Sequence, residues 1–158
     1  MFKKLLFTAF FAILALATKA GDDILTYDIK CGGSASQGYY LVEVSAYASK
    51  ANKINQALVC RAAVHGVLFK GFSGDNGCTS QRPLAANAAV EEQHQEFFKP
   101  FFKDDGDYRN YASMVAGSMK TQKVGNQFKV NALVTVSKDR LRTDLEKAGI
   151  IKGLNSGF

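Results

Sequence analysis

The chain has 158 residues, 47% of them apolar, with 20 Lys or Arg against 14 Asp or Glu. That length fits one domain with enough core to fold alone. The basic residues are scattered along the chain, which argues against the concentrated positive stripe that nucleic-acid binding needs.

The opening segment "MFKKLLFTAFFAILALATKA" stands apart from the rest. Lys3 and Lys4 precede a run from Leu5 to Ala17 that is apolar apart from Thr8. Small residues suited to cleavage follow, at Ala15–Ala17 or Thr18–Ala20. This is the pattern of a secretory signal peptide, and the run falls short of the roughly 20 apolar residues a spanning helix requires. Residues 1–20 are therefore read as a signal peptide and 21–158 as a single domain. Lys3, Lys4 and Lys19 leave with the signal, so 17 basic residues then face 14 acidic ones, a net of +3. No cysteine follows the cleavage region directly, so a bacterial lipid anchor is not indicated. No later stretch is apolar enough to span a membrane.

"DDILTYDIK" (22–30) predicts a short first strand, and "CGGSASQG" (31–38) a loop. "YYLVEVSAYAS" (39–49) alternates with period two. Tyr40, Val42, Val44, Ala46 and Ala48 form one side of a half-buried strand. "NKINQALVCRAAVHGVLFKGF" (52–72) predicts a long central helix with Asn52 as its N-cap. Ile54, Leu58, Leu68, Phe69 and Phe72 gather on one side, and Val59, Cys60, Ala63 and Val67 on the other. A helix apolar on both sides is covered on both.

Residues 73–89 are a connection rich in Gly, Asn and Ser. "VEEQHQEFF" (90–98) then predicts a helix capped by Asn87, ending or kinking near Phe98 because of Pro100. Phe101 and Phe102 would start a new turn. "YASMVAGSMKTQKV" (111–124) and "QFKVNALVTV" (127–136) are strands joined by Gly125-Asn126, a strong hairpin signal. "KDRLRTDLEKA" (138–148) is a helix with Ser137 as N-cap, an apolar stripe of Leu141, Leu145 and Ala148, and Gly149 as its stop. This order predicts an α+β fold. A mainly antiparallel sheet carries helices on one face, with a long central helix after the first main strand and a C-terminal strand-strand-helix unit.

Phe97, Phe98, Phe101 and Phe102 allow three readings: core, the lining of a ligand pocket, or a membrane wedge. Burying all four would contribute about 6–12 kcal/mol before entropy costs. The central helix needs cover on the side the sheet leaves open, and the acidic Glu91, Glu92 and Glu96 suit a wedge poorly. Core packing is the favoured reading.

Chemistry-bearing groups are sparse. The histidines are His65 and His94, and no G-x-S-x-G occurs. Cys60 and His65 point in different directions on a helix, so no nucleophile–base pair is visible. Two histidines and three cysteines lie in no metal-ligand spacing, and no cofactor is expected. Arg61 and His65 share a helix face. They read either as an anion site or base, or as a buried polar pair satisfied by a carboxylate such as Glu92 or Glu96.

Topology selects a disulfide. The strand 39–49 covers about 36 Å at 3.3 Å per residue, and the helix runs back about 30 Å at 1.5 Å per residue. Cys78 then lies near Cys31, both in glycine-rich loops able to meet the geometry of a bridge. Cys60–Cys78 is the alternative pairing, and an unbridged chain remains open. Cys60 in mid-helix otherwise behaves as a small buried hydrophobe.

The run Val42–Ala63, with its "NQALVCRAA", and the closing "VNALVTVSKDRLRTDLEKAGI" resemble the N-terminal domain of flagellar assembly protein T and related small bacterial envelope lipoproteins. The resemblance implies an α+β module acting structurally at the outer membrane, without catalysis. The lipid-attachment cysteine of those proteins is missing here. Gln122-Lys-Val124-Gly125 is similar to the Gln-x-Val-x-Gly hairpin of cystatins, with the glycine one residue early.

The function expected from all this is a secreted or periplasmic, non-enzymatic cell-envelope or interaction module with an envelope protein as partner. The alternatives are a small-ligand-binding protein with an aromatic pocket and a hairpin-loop cysteine protease inhibitor.

Overall fold

The structure, a computed structural model, describes residues 26–75 and 77–154. The signal-peptide reading and the first residues of the predicted leading strand lie outside them. Among the described residues five strands form one antiparallel sheet: β1 (Tyr27–Gly33), β2 (Tyr40–Ala48), β3 (Ala112–Met114), β4 (Lys120–Val124) and β5 (Gln127–Val136). Among the described residues no helix is long and apolar enough to cross a membrane.

β2 and β5 form the centre, paired from Tyr40↔Val136 to Ala48↔Phe128. The alternation read from the sequence decides their faces. Val42, Val44, Ala46, Val130, Ala132, Val134 and Val136 are buried. The opposite face carries cross-strand polar pairs, including Ser45 donating to Asn131 at 2.7 Å and Lys30 paired with Glu43 at 3.5 Å. One face is core and the other is solvated, as antiparallel sheets permit.

Two strand readings need correction. β1 does not stop at Lys30 but runs through Cys31 and Gly32 to Gly33, with a bulge between Cys31 and Gly33. Gly32 serves close approach: a Cβ there would lie 2.9 Å from Leu133 Cδ2 and 3.0 Å from the Val42 carbonyl carbon. The stretch 111–124 is two strands. β3 and β4 lie end to end along the same edge of β5. Ser118 patches the gap between them, donating to the Val115 carbonyl at 2.7 Å and accepting from Leu133 N–H at 3.0 Å. Gly117 makes the turn at φ +72°. The Gly125-Asn126 hairpin stands where the sequence puts it, with β4 and β5 on either side.

The central helix α1 (Gln56–Phe69) is shorter than 52–72. Asn55, not Asn52, caps it, accepting from Leu58 N–H at 2.9 Å. A 3-10 turn at Ala51–Lys53 takes up the preceding residues. At the far end Gly71, at φ +68°, donates back to the Gly66 carbonyl and stops the helix, so Ile54 and Phe72 flank α1 rather than extend its stripe. Within it only Gln56, Ala57, Arg61 and His65 escape burial. One side packs on β1, β2, β3 and β5. Gly66 brings the backbone close to β1, where a Cβ would sit 2.6 Å from Ile29 Cδ1.

The phenylalanine segment covers the other side of α1. It forms two short helices, α2 (Ala89–Gln93) and α3 (Gln95–Phe101), broken at His94. The break falls at His94 rather than Pro100. Pro100 sits one residue before the end of α3 and forfeits only the single hydrogen bond back to Glu96. Phe101 closes α3 instead of opening a new turn. Asn87 is not the cap: Ala88 holds that position without a side-chain capping bond, and Asn87, one residue earlier, accepts from Ala89 N–H at 3.0 Å. Phe98 and Phe101 are buried, while Phe97 and Phe102 lie at the core margin.

The last helix, α4 (Lys138–Lys147), begins after Ser137. The Ser137 side chain makes no capping bond; the Gly38 carbonyl takes the Asp139 N–H instead. Leu141 and Leu145 are buried, but Ala148 is exposed, because the helix has already ended at Lys147. A disulfide joins Cys31 to Cys78, with Cα atoms 6.3 Å apart. Cys31 lies in a strand rather than a loop, so only the Cys78 side of the bridge has a loop's freedom. Cys60 is free and buried.

Candidate functional site

A cleft of about 1210 Å³ lies between α1 and the α2–α3 arm. Its apolar wall includes Leu58, Phe98 and Phe102. Five fixed cations line it, Lys53, Arg61, Lys99, Lys103 and Arg109, against the carboxylates Glu91, Glu92 and Asp104. A smaller hollow of about 310 Å³ near Ser34, Tyr39 and Thr135 has no charged lining residue.

Leu58, Arg61, His65 and Phe69 follow one another at helical spacing, so α1 turns this row of side chains toward the arm. The His65 ring meets Phe69 at 4.8 Å and Phe102 at 5.2 Å between centroids, and Phe69 meets Phe98 at 5.2 Å. Edge-on and tilted ring contacts of this kind add to area burial.

His65 is held from both ring nitrogens. Nε2 lies 3.0 and 3.1 Å from the two Glu91 carboxylate oxygens, and Nδ1 lies 2.6 Å from Tyr27 Oη. A carboxylate only accepts, so Nε2 carries the proton and the Tyr27 hydroxyl donates to Nδ1 of the neutral ring. Burial pushes the His65 pKa below its usual value, against the opposing pull of Glu91. Burial, and then the charges of Glu91 and Asp28, push the Tyr27 phenol well above its ordinary range. Tyr27 is 7% exposed, so its hydroxyl serves as a fixed donor rather than an accessible nucleophile. Lys70 braces it from behind, donating to the Tyr27 carbonyl at 2.9 Å with Nζ 3.8 Å from the ring centroid.

Arg61 is satisfied differently. Nη1 faces the Phe102 carbonyl and Asp104 Oδ1, each at 3.5 Å, and Nε is buried with no acceptor among the described residues. A buried donor left unmet costs about 1–3 kcal/mol. The Asp104 side chain is 98% exposed, so the pair is screened and contributes little.

Arg61 and His65 thus share a face as read, but their carboxylates are Asp104 and Glu91, not Glu92 or Glu96. Within α2 it is Glu91 rather than its neighbour Glu92 that reaches His65, and Glu96 lies beyond the break at His94. Asp104 comes from a loop 43 residues away, and its sequence signal is only the acidic run after the arm. Arg109 and Lys103, absent from the sequence reading of the site, line the same cleft. Of the four phenylalanines, Phe98 and Phe102 touch the cleft, while Phe101 packs inward at 4% exposure. The hairpin stretch Gln122–Gly125 lies far along the sheet edge, with Val124 46% exposed and Gly125 in the turn at φ +60°. Among the described residues no cluster of His, Cys, Asp or Glu is arranged to hold a metal ion.

Comparison with protein-family models, curated proteins and solved structures finds no match to this chain.

Proposed function

We propose that the protein is an exported, non-catalytic interaction module of the cell envelope, and that it holds its partner through the cleft between α1 and the α2–α3 arm. The observation that carries this reading is the cleft itself. A wall of Leu58, Phe98 and Phe102 stands beside Arg61, Lys99, Lys103 and Arg109, which outnumber the carboxylates Glu91, Glu92 and Asp104 in the same lining. An apolar floor with a charged rim is how protein interfaces are commonly built. The signal-like N-terminus and the pattern shared with envelope modules support export. The Cys31–Cys78 bridge is compatible with an oxidising compartment.

A second reading, a small-ligand binder, is favoured by the aromatic wall alone. Small-molecule pockets enclose about 300–1,000 Å³, and this cleft of about 1210 Å³ is larger. That size favours a segment of a macromolecule.

A photo-crosslinking side chain placed at Gln95, in the cleft, and separately at Lys120, on the edge strand β4, tests the proposal in the producing cell. A discrete protein adduct from Gln95 and none from Lys120 is the expected result. Adducts only from Lys120 would transfer the interface to the sheet edge, and adducts from neither position would overturn the interaction reading.

A further inference from the structure

Arg61 is a cation poorly answered by its own chain. Both of its hydrogen-bond contacts lie at 3.5 Å, at the outer limit of a useful bond. The two acceptors are a backbone carbonyl, from Phe102, and a side-chain carboxylate, from Asp104. Those are the two acceptors that any polypeptide with an acidic residue carries. Tyr108 Oη donates to the Asp104 carbonyl at 3.3 Å and holds the backbone. The Asp104 side chain, however, is nearly fully exposed and among the described residues makes only this long contact, so little opposes its displacement.

The surroundings select the occupant further. Lys99, Lys103 and Arg109 favour negative charge, whereas Phe102 and Leu58 offer an apolar surface beside it. Glu91, Glu92 and Asp104 interrupt the positive lining, which suits spaced carboxylates better than the continuous charge of a phosphate backbone. The lining extends from Tyr47 and Ala48 at the end of β2, along α1, to Lys103 and Asp104 beyond α3, and so fits an extended chain.

We infer that the cleft takes an extended acidic peptide segment of a partner protein, one carboxylate of which displaces Asp104 from Arg61. The inference rests on the cleft being the binding element. Asp104 then acts as a built-in competitor that occupies Arg61 until the partner arrives.

The test uses the purified, disulfide-intact protein and a displayed library of random peptides of about ten residues, the scale of a groove-binding segment. Selected peptides should be enriched in Asp and Glu next to an aromatic or aliphatic residue. A selected peptide carrying a fluorescent label is then titrated by anisotropy against wild type, Asp104→Asn and Arg61→Gln. Removing the competitor and its negative charge should tighten binding by up to about fivefold in Asp104→Asn, the scale of an exposed ion pair, a direction that loss of a purely structural side chain does not produce. Arg61→Gln should weaken binding about tenfold or more, as loss of one partner of a charge pair does.

Basic or uncharged selected peptides would overturn the inference, as would no enrichment at all. So would an Asp104→Asn affinity equal to or below that of wild type. A Gln95 adduct that persists in the cell alongside such a failure would remove the acidic-peptide assignment and leave the cleft as the binding element.

Discussion

The two sides of α1 are made by the same fourteen residues and have opposite chemistry. At 100° per residue Val59, Ala63 and Val67 lie opposite the row of Leu58, Arg61, His65 and Phe69. The former are at most 1% exposed, and Gly66 lets the helix backbone close on β1. The latter side mixes rings with an imidazole and a guanidinium, and it borders a cleft of about 1210 Å³. A sheet offers a continuous apolar surface that an apolar helix face can fill. Two short helices broken at His94 offer an irregular one, and polar groups collect where the fit is incomplete. The difference leaves the sheet side sealed throughout, while the arm side combines a packed centre at Phe98 with a polar margin that can recognise something.

Substitutions should respect that division. The largest effect is expected at Phe98, where the arm is packed as closely as the sheet side: the ring is 2% exposed and contacts Phe69, Phe97, Phe101 and Phe102. Phe98→Ala should lose about 3–5 kcal/mol in denaturant unfolding. A loss below about 1 kcal/mol would mean that the arm is a loosely held flap.

Next is the bridge that fastens β1 to the loop after α1. Cys31 and Cys78 close a loop over a separation of 47 residues. Replacing both with alanine should lose about 2–4 kcal/mol, read from the shift in urea midpoint. An unchanged midpoint would show that the bridge does not constrain the unfolded chain.

A smaller effect sharpens the contrast through pH. His65, on the cleft side, faces Tyr27, Glu91, Lys70 and Arg61, and burial lowers its pKa in the folded state. The unfolded chain therefore takes up the proton first. The stability from keeping His65 neutral is full above the unfolded value of about 6.5 and is lost as pH falls through the lower folded value. Urea midpoints between pH 8 and 5 should decline more steeply in wild type than in His65→Gln. Parallel curves would contradict the burial of a neutral ring.

Much of this architecture was legible because it follows from short-range periodicity. The alternation from Tyr40 to Ala48 and from Phe128 to Val136 specified which face of each central strand is buried, and Gly125-Asn126 specified the hairpin of β4 with β5. The disulfide was legible because a strand of known rise and a helix of known rise return to the same end. The extent of β1 was not, because Gly32 is chosen for the nearness of Leu133 and Val42, which only the folded sheet supplies. Nor was the gap between β3 and β4, which depends on Ser118 bridging to Leu133. At the site, the shared face of Arg61 and His65 was visible from their spacing. Their true partners were not, because the break at His94 and the long-range placement of Asp104 are decided by packing.

The most direct test of the division of α1 reverses charge on the cleft rim without touching the core. Lys99 and Lys103 are exposed residues lining the cleft, and exposed substitutions change stability by no more than about 0.5 kcal/mol. The double substitution Lys99→Glu, Lys103→Glu should leave the urea midpoint in place and abolish the Gln95 photo-adduct. An undiminished adduct from the folded double variant would contradict the assignment of that side of α1 to recognition.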